Sequence, residues 1–209
     1  MRNAEIFGMT AGLITLAAVI PYVMGIFRWG FSWKYPFVVK TEQTRPNRAS
    51  WLVWAFVSAV IMPFYSEAGA EETIWLPVAL VIGPIVVGLL SLKWGEGGWT
   101  WFDQACLVGA TVSIVVWFLT DSYALGLVLA LVADGFGVAA TMRHAWRKPH
   151  EENRLAWTLF LAGDCLNMFA ILDWTWGEWL IWIYPVYMIA HTLPIAVLVY
   201  REQPKESVQ

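Results

Sequence analysis

Apolar residues form seven long runs along this 209-residue chain, separated by short polar connections. The runs cover about residues 6–27, 51–65, 74–92, 101–120, 123–142, 156–172 and 179–200. A helix needs roughly 17–25 mostly apolar residues to cross a bilayer, and most of the runs reach that length. The pattern therefore predicts an all-α membrane protein with seven transmembrane helices and no separate soluble domain.

The composition agrees with this prediction. Hydrophobic residues make up 59% of the chain and charged residues 14%, against roughly 45–50% and 25% in soluble proteins. We do not expect the first run to be a cleaved signal peptide, because it is long and ends in the aromatic and basic stretch Phe27-Arg28-Trp29. The two cysteines lie inside predicted helices and indicate neither a disulfide framework nor a metal cluster.

A short motif occurs twice. Asn-Arg-Ala-Ser-Trp at 47–51 and Asn-Arg-Leu-Ala-Trp at 153–157 share the pattern Asn-Arg-x-x-Trp, and each follows a basic loop and precedes an apolar run. Duplicated hydrophobic units with one odd helix between them suggest a transporter whose site lies between repeats. We therefore predict a 3+1+3 arrangement, with a first three-helix repeat over 1–92, a linker helix over 93–122, and a second three-helix repeat with a short cytoplasmic tail over 123–209. A chance match is the alternative, because Arg and Trp are both common at membrane borders.

Twelve of the 13 basic residues lie in connections on one side of the predicted bundle. They are Arg28, Lys34, Lys40, Arg45, Arg48, Lys93, Arg143, Arg147, Lys148, Arg154, Arg201 and Lys205. The positive-inside rule then predicts an outside N-terminus and a cytoplasmic C-terminus, in a bacterial inner membrane. We expect the motif arginines, Arg48 and Arg154, to contact lipid phosphates or the C-terminal carbonyls of neighbouring helices.

Three ionisable residues lie deep inside the last three predicted helices: Asp134, Asp164 and His191. A rise of about 1.5 Å per residue puts each near the middle of a hydrocarbon layer about 30 Å thick. An ionisable group there costs at least roughly 2.5–3.5 kcal/mol, so it usually faces a protein interior or a watery path. We predict that these three side chains converge on a central substrate and proton site.

Four further side chains are predicted near the walls of this site. Asn167 lies one turn from Asp164, and Tyr187 lies one turn from His191, each pair on one helical face. The 15 tryptophans mostly fall near the ends of the runs, as in an interfacial belt, but two lie about a turn further in and are better candidates for facing a cavity. They are Trp54 and Trp182.

Proton coupling is the sharper hypothesis for this group. A carboxylate beside an imidazole can load and release protons near neutral pH. The alternative is a structural hydrogen-bonded pair that holds helices together, which membrane bundles also use. The first repeat offers no equivalent ionisable group, because Ser58 occupies the position that matches Asp164.

Several other classes do not fit the chain. The last run contains no lysine for a retinal Schiff base, and His191 is the one histidine inside a run, which excludes paired-histidine haem. No nucleophile–base pair, zinc-ligand spacing or phosphate loop is present, so we expect no enzymatic activity, no cofactor, no metal and no nucleic-acid partner. The loop that carries His144, Arg147, Lys148, His150, Glu151 and Glu152 is interpreted as a solvated border.

Seven spans arranged as three, one and three, with an outside N-terminus, resemble the SWEET and PQ-loop (MtN3-like) superfamily of membrane transporters. The Pro-Gln pair of that family would fall late in the first and fifth spans, where this chain has Pro21-Tyr22 and Phe136-Gly137. The resemblance implies a central pocket between two three-helix bundles. It also implies a membrane-embedded aspartate that couples flux to protons, a role open to Asp134 or Asp164.

The function predicted from these features is small-solute transport across the membrane, with a central site between two repeats. The alternative is a non-transporting seven-span receptor, or an accessory subunit of a larger membrane complex. We expect membrane lipids and a small-molecule substrate as partners, and a homo-oligomer is also left open. The central trio distinguishes the classes, because a transporter needs it hydrated and reachable from both sides whereas a scaffold needs it dry.

Overall fold

The computed structural model describes residues 3–31, 38–40, 43–97, 100–120 and 122–201. The helices in these ranges are α1 (Asn3–Ile26), α2 (Arg48–Glu67), α3 (Trp75–Trp94), α4 (Trp101–Phe118), α5 (Tyr123–Arg147), α6 (Arg154–Asn167) and α7 (Trp179–Val199). Their order follows the seven predicted apolar runs. The largest difference is α6, which ends at Asn167 and gives way to a short 3-10 turn, Met168–Ala170, although the apolar run continues to residue 172.

Five of the helices are long and apolar enough to cross a membrane: α1, α2, α3, α5, and α7 with the turn before it. The remaining two are shorter, with 18 residues in α4 and 14 in α6. Large apolar side chains such as Leu13, Leu89 and Val197 point outward and are more than half exposed. An apolar outer surface on long apolar helices is the pattern of an all-α integral membrane protein.

The first basic loop contains a small antiparallel hairpin that the hydrophobic pattern did not predict. Strands β1 (Trp29–Phe31) and β2 (Val38–Lys40) pair with Trp29 opposite Lys40. Arg28 has a φ of +65°, in the left-handed region, where the chain turns from α1 into β1. Two lysines counted in the charge asymmetry, Lys34 and Lys205, lie outside the described residues.

In each half of the molecule the third helix packs between the other two. Helix α3 contacts both α1 and α2, and α7 contacts both α5 and α6. The halves meet where α1 packs on α6 and where α2 packs on α5. Six helices thus form a ring in the order α1, α3, α2, α5, α7, α6, while α4 packs mainly on α5 with a smaller contact to α2.

Both copies of the Asn-Arg-x-x-Trp motif begin a helix in the same way. The Oδ1 atom of Asn47 accepts a hydrogen bond from the backbone N–H of Ser50 at 3.1 Å, and Oδ1 of Asn153 accepts one from Ala156 at 2.9 Å. A side-chain cap of this kind satisfies an amide that has no partner within the first turn. The motif asparagines therefore determine where α2 and α6 begin.

The motif arginines bind the ends of neighbouring helices, as expected from the sequence. Nε of Arg48 donates to the carbonyl of Ser91, near the end of α3, at 3.0 Å. Nε of Arg154 donates to the carbonyl of Val199, the last residue of α7, at 2.9 Å. The carbonyls near a helix C-terminus carry partial negative charge, which a guanidinium compensates. The prediction of contacts with C-terminal carbonyls is confirmed for both arginines.

The motifs lie together at one end of the bundle, where α1, α3, α5 and α7 end and α2 and α6 begin. The backbone N–H of Arg45 bonds the carbonyl of Glu151 at 2.8 Å, and the Asn153 amide bonds the carbonyl of Pro21 at 2.8 Å. Lys148 also contacts Glu96 here, so loops from both halves interlock. We call this region the basic end.

A candidate central site between the two halves

A cavity of about 50 Å³ lies inside the ring of helices. On this measure a single water needs roughly 10–15 Å³, so the cavity has room for a few water molecules in this conformation. Both halves of the chain contribute to its lining: Trp51, Trp54, Ser58, Ile61, Leu80, Pro84, Asp134, Trp157, Phe160, Asp164, Tyr184, Met188, His191 and Thr192. Its walls are mostly aromatic and apolar, and its ionisable groups come from α5, α6 and α7.

Asp134 is the centre of a polar group that joins three helices. Its Oδ2 atom lies 2.9 Å from Nδ1 of His191 and accepts a hydrogen bond from the Tyr187 hydroxyl at 2.8 Å. Nε1 of Trp54 donates to the backbone carbonyl of Asp134 at 3.3 Å. The Trp54 indole also stacks on the His191 ring, with centroids 5.0 Å apart. Four of the predicted site residues therefore form one connected group across α2, α5 and α7.

A glycine makes room for this arrangement. A Cβ atom at Gly137 would lie 2.6 Å from Nε1 of Trp54, which is too close for any other residue without a shift. The indole can therefore lie against α5 and reach both the Asp134 carbonyl and the His191 ring. Gly135, two residues earlier, has only an ordinary contact of 3.6 Å with the Tyr187 hydroxyl.

Asp164 faces the same cavity from α6. The residue is 2% exposed, and Thr192 on α7 lines the cavity beside it. The Oδ2 atom of Asp164 has no hydrogen-bond partner among the described residues. A buried carboxylate oxygen without a donor is costly. This oxygen therefore needs water, a proton or a ligand in the cavity as its partner.

The structure brings Asp134, Asp164, His191 and Trp54 together around one cavity, and their role as a substrate and proton site stays a prediction. Two of the wall residues lie beside the cavity rather than in its lining. Tyr187 joins the site through Asp134. Asn167 is fully buried one turn beyond Asp164, and neither atom of its amide has a hydrogen-bond partner among the described residues.

The prediction that Trp182 faces the cavity is wrong. Helix α7 begins at Trp179, so Trp182 lies in its first turn, at the end of the helix away from the basic end. Nε1 of Trp182 donates to the carbonyl of Thr175 at 3.1 Å, and the ring stacks on Trp174 with centroids 6.4 Å apart. These contacts hold the indole against the preceding loop, which is the role of an interfacial tryptophan.

The motif tryptophans form a hydrogen-bonded layer between the cavity and the basic end. Nε1 of Trp51 donates to the Tyr22 hydroxyl at 3.2 Å, and that hydroxyl donates to Oε2 of Glu152 at 2.9 Å. Nε1 of Trp157 donates to the same carboxylate oxygen at 2.8 Å. This layer connects α1 and α2 of the first half with α6 and the loop before it.

Sequence reasoning did not predict Trp51 and Trp157 as site residues, although both line the cavity. The signal was available in the repeated motif, because the same residue type recurs at matching positions of both halves. The interpretation of the loop after α5 as a solvated border is also wrong in part. His144, Glu151 and Glu152 are only 8%, 8% and 5% exposed, because the loops of both halves fold over them.

The chain was compared with known proteins in three ways. No protein-family model matches it, and no curated protein or solved structure matches it either. The resemblance to the SWEET and PQ-loop superfamily therefore stays a prediction, and the case for a function rests on the geometry of the central site.

Proposed function

We propose that this chain is a proton-coupled transporter of a small solute, with the central cavity as its site. The observation that carries the proposal is the meeting of Asp134, Asp164 and His191, from three different helices, on one cavity between the two halves. Buried ionisable groups on separate helices are costly unless they share partners or water. A site that binds protons and a solute would account for ionisable groups buried at this cost.

The architecture proposed with this function has seven spans, as two three-helix repeats joined by a linker helix, of the SWEET and PQ-loop kind. The helix contacts support it, because α3 packs between α1 and α2 as α7 packs between α5 and α6. The contact of α1 with α6 also has a counterpart in that of α5 with α2. The charge asymmetry further favours a cytoplasmic basic end, an outside N-terminus and a bacterial inner membrane.

In this proposal the two halves move against each other around the site, as in other transporters built from repeats. The layer of Trp51, Tyr22, Glu152 and Trp157 blocks the path from the cavity to the basic end. Opening on that side requires these hydrogen bonds to break. A proton on the Asp134–His191 pair or on Asp164 changes the charge of the cavity, and so biases which side opens.

Uptake by proteoliposomes tests the proposal. Purified protein in vesicles with an imposed pH gradient is incubated with a pool of small metabolites, and mass spectrometry identifies the solutes that accumulate. We expect at least one solute to accumulate in a gradient-dependent manner with the natural chain and with Cys165→Ser, an exposed neighbour on α6. Asp164→Asn should reduce that accumulation to the level of empty vesicles.

Accessibility of the cavity tests the proposal without a known substrate. Ser58 lines the cavity, so a Ser58→Cys variant, made together with Cys165→Ser, presents a thiol to it. A transporter should allow a small membrane-impermeant thiol reagent to reach this cysteine from both sides of the membrane. A thiol that reacts from neither side, with no solute accumulated, would favour the non-transporting receptor or accessory subunit.

A further inference from the structure

A second cluster of polar groups lies at the basic end, apart from the central cavity. Glu96 follows α3, His144 lies in the last turn of α5, and Glu151 ends a short 3-10 turn, Pro149–Glu151. One potential metal-binding atom from each of the three residues lies within 4.8 Å of the others. Three separate segments thus bring together one imidazole and two carboxylates.

The atoms that face each other in this cluster are buried and without hydrogen-bond partners. Nε2 of His144 lies 3.6 Å from Oε2 of Glu151 and 3.8 Å from Oε1 of Glu152. These three atoms have no hydrogen-bond partner among the described residues. The side chains of His144, Glu151 and Glu152 are 7%, 11% and 0% exposed. Buried polar atoms nearly always have a hydrogen-bond partner, so three neighbouring buried atoms without one need an explanation.

The position of the proton on the His144 ring bears on what the cluster can bind. The ring lies near the backbone of Arg45, which favours a proton on the imidazole. Nε2 has no hydrogen-bond partner among the described residues, so a proton held on Nδ1 would leave Nε2 unprotonated. Nε2 then directs a lone pair at two carboxylate oxygens. Metal-binding histidines are commonly held in this way, with the other ring N–H donated to a carbonyl.

We propose that Glu96, His144 and Glu151 bind a divalent transition-metal ion such as Zn²⁺ or Mn²⁺, with Glu152 as an additional ligand. One imidazole nitrogen with carboxylate oxygens is a donor set that suits these ions. With metal–ligand bonds of roughly 2.0–2.2 Å, neighbouring ligand atoms lie about 3–4 Å apart, which agrees with the separations around Nε2. The ion would join the loops of both halves at the basic end.

Lys148, beside the cluster, compensates part of the negative charge of the carboxylates when no ion is bound. Nζ of Lys148 contacts Oε1 of Glu96 and lies 3.4 Å from Oε1 of Glu151. Its side chain is 41% exposed, so it can swing away when a metal ion binds. A cavity of about 140 Å³ adjoins Glu96, His144 and Lys148 and gives an ion room to approach.

Binding of Mn²⁺ and Zn²⁺ to the full chain tests this site, with any polyhistidine tag removed because a tag binds the same ions. Electron paramagnetic resonance follows the free Mn²⁺, and calorimetry follows Zn²⁺. We expect one ion per chain. His144→Ala and Glu151→Gln should each weaken binding by at least about tenfold, since each removes a ligand. His150→Ala, which removes an exposed histidine of the same loop, is the matched control and should bind as the natural chain does.

Lys148→Met gives the opposite expectation, because the ammonium group competes with the ion for the same carboxylates. This variant should bind the ion equally well or more tightly. X-ray absorption of the Zn²⁺-loaded natural chain should show nitrogen and oxygen ligands and no sulfur, which tests the site even if His144→Ala does not fold. Absence of stoichiometric binding, or an equal loss in His150→Ala, would overturn the proposal. Asp164→Asn should keep full metal affinity, so a failed transport assay does not decide this question.

Discussion

The two halves of the molecule share their framework and differ in their chemistry. Each half begins its second helix with an asparagine cap, and each anchors that helix by an arginine bound to a carbonyl near the end of its third helix. Each also places a motif tryptophan on the central cavity. The repeated part of the sequence therefore forms part of the cavity walls and of the layer that separates the cavity from the basic end.

The ionisable groups of the cavity belong to the second half alone. The offset between the motifs matches Asp164 with Ser58, and both residues line the cavity. Segments 23–28 and 138–143, near the ends of α1 and α5, both begin with Val and end with Arg, and aligning them matches Asp134 with Val19. The arginine contacts match His191 with Gly83. A symmetric frame thus holds an asymmetric site. The proposed proton coupling needs ionisable groups in only one of the two halves.

The strongest test of this asymmetry is a pair of substitutions at matching positions. Asp164→Asn should abolish uptake driven by a pH gradient, because the amide cannot carry the proton. Ser58→Ala should change the rate less than about threefold, because the Ser58 hydroxyl donates to the Trp54 carbonyl of its own helix, at 2.6 Å. Initial rates in proteoliposomes measure both. Equal losses in the two variants would contradict a one-sided site.

The framework should respond equally in both halves. Arg48→Gln removes bonds to the carbonyls of Ser91 and Gly97, and Arg154→Gln removes the bond to Val199. A hydrogen bond to a charged group contributes about 1.5–3 kcal/mol, so both variants should lose stability by this order, Arg48→Gln somewhat more. Thermal unfolding in detergent measures the loss. A large effect in one half and none in the other would argue against equivalent repeats.

Two glycines in one helix test how the frame positions the site. Gly137→Ala should cost about 1–3 kcal/mol of stability and slow uptake, because its Cβ would displace Trp54 from Asp134 and His191. Gly135→Ala meets only an ordinary contact and should be neutral or slightly stabilising. Melting temperatures and uptake rates of the two variants decide this. Similar behaviour would mean that the Trp54 contact is not needed.

The smallest effect is expected between the motif tryptophans themselves. Trp157→Phe removes a hydrogen bond to the Glu152 carboxylate, whereas Trp51→Phe removes one to the neutral Tyr22 hydroxyl. Burial raises the pKa of Glu152 to about 7, so the carboxylate is charged at a pH well above that value. Because bonds to charged groups are worth more, Trp157→Phe should there be the more destabilising by about 1 kcal/mol. Chemical unfolding of the two variants under one condition measures the difference. The reverse order would show that the carboxylate is not the stronger acceptor in this layer.

The sequence by itself determined the helices, their membrane character and the position of Asp134, Asp164 and His191 inside three of them. These properties depend on local patterns: the length of apolar runs, the capping asparagines and the number of residues from a helix end. The sequence also predicted that Arg48 and Arg154 contact lipid phosphates or helix C-termini, because cations favour helix C-termini in general, and the structure shows the contacts with helix ends.

Only the tertiary structure decided which side chains meet across helices. Trp54 and Trp182 have similar positions in the sequence. Gly137 on another helix leaves room for Trp54 at the cavity, whereas Trp182 bonds the loop that precedes its own helix. Glu151 and Glu152 read as solvated loop residues, yet loops from both halves cover them. Such contacts depend on helix rotation and on how loops and helices from different parts of the chain meet, which local hydrophobicity does not encode.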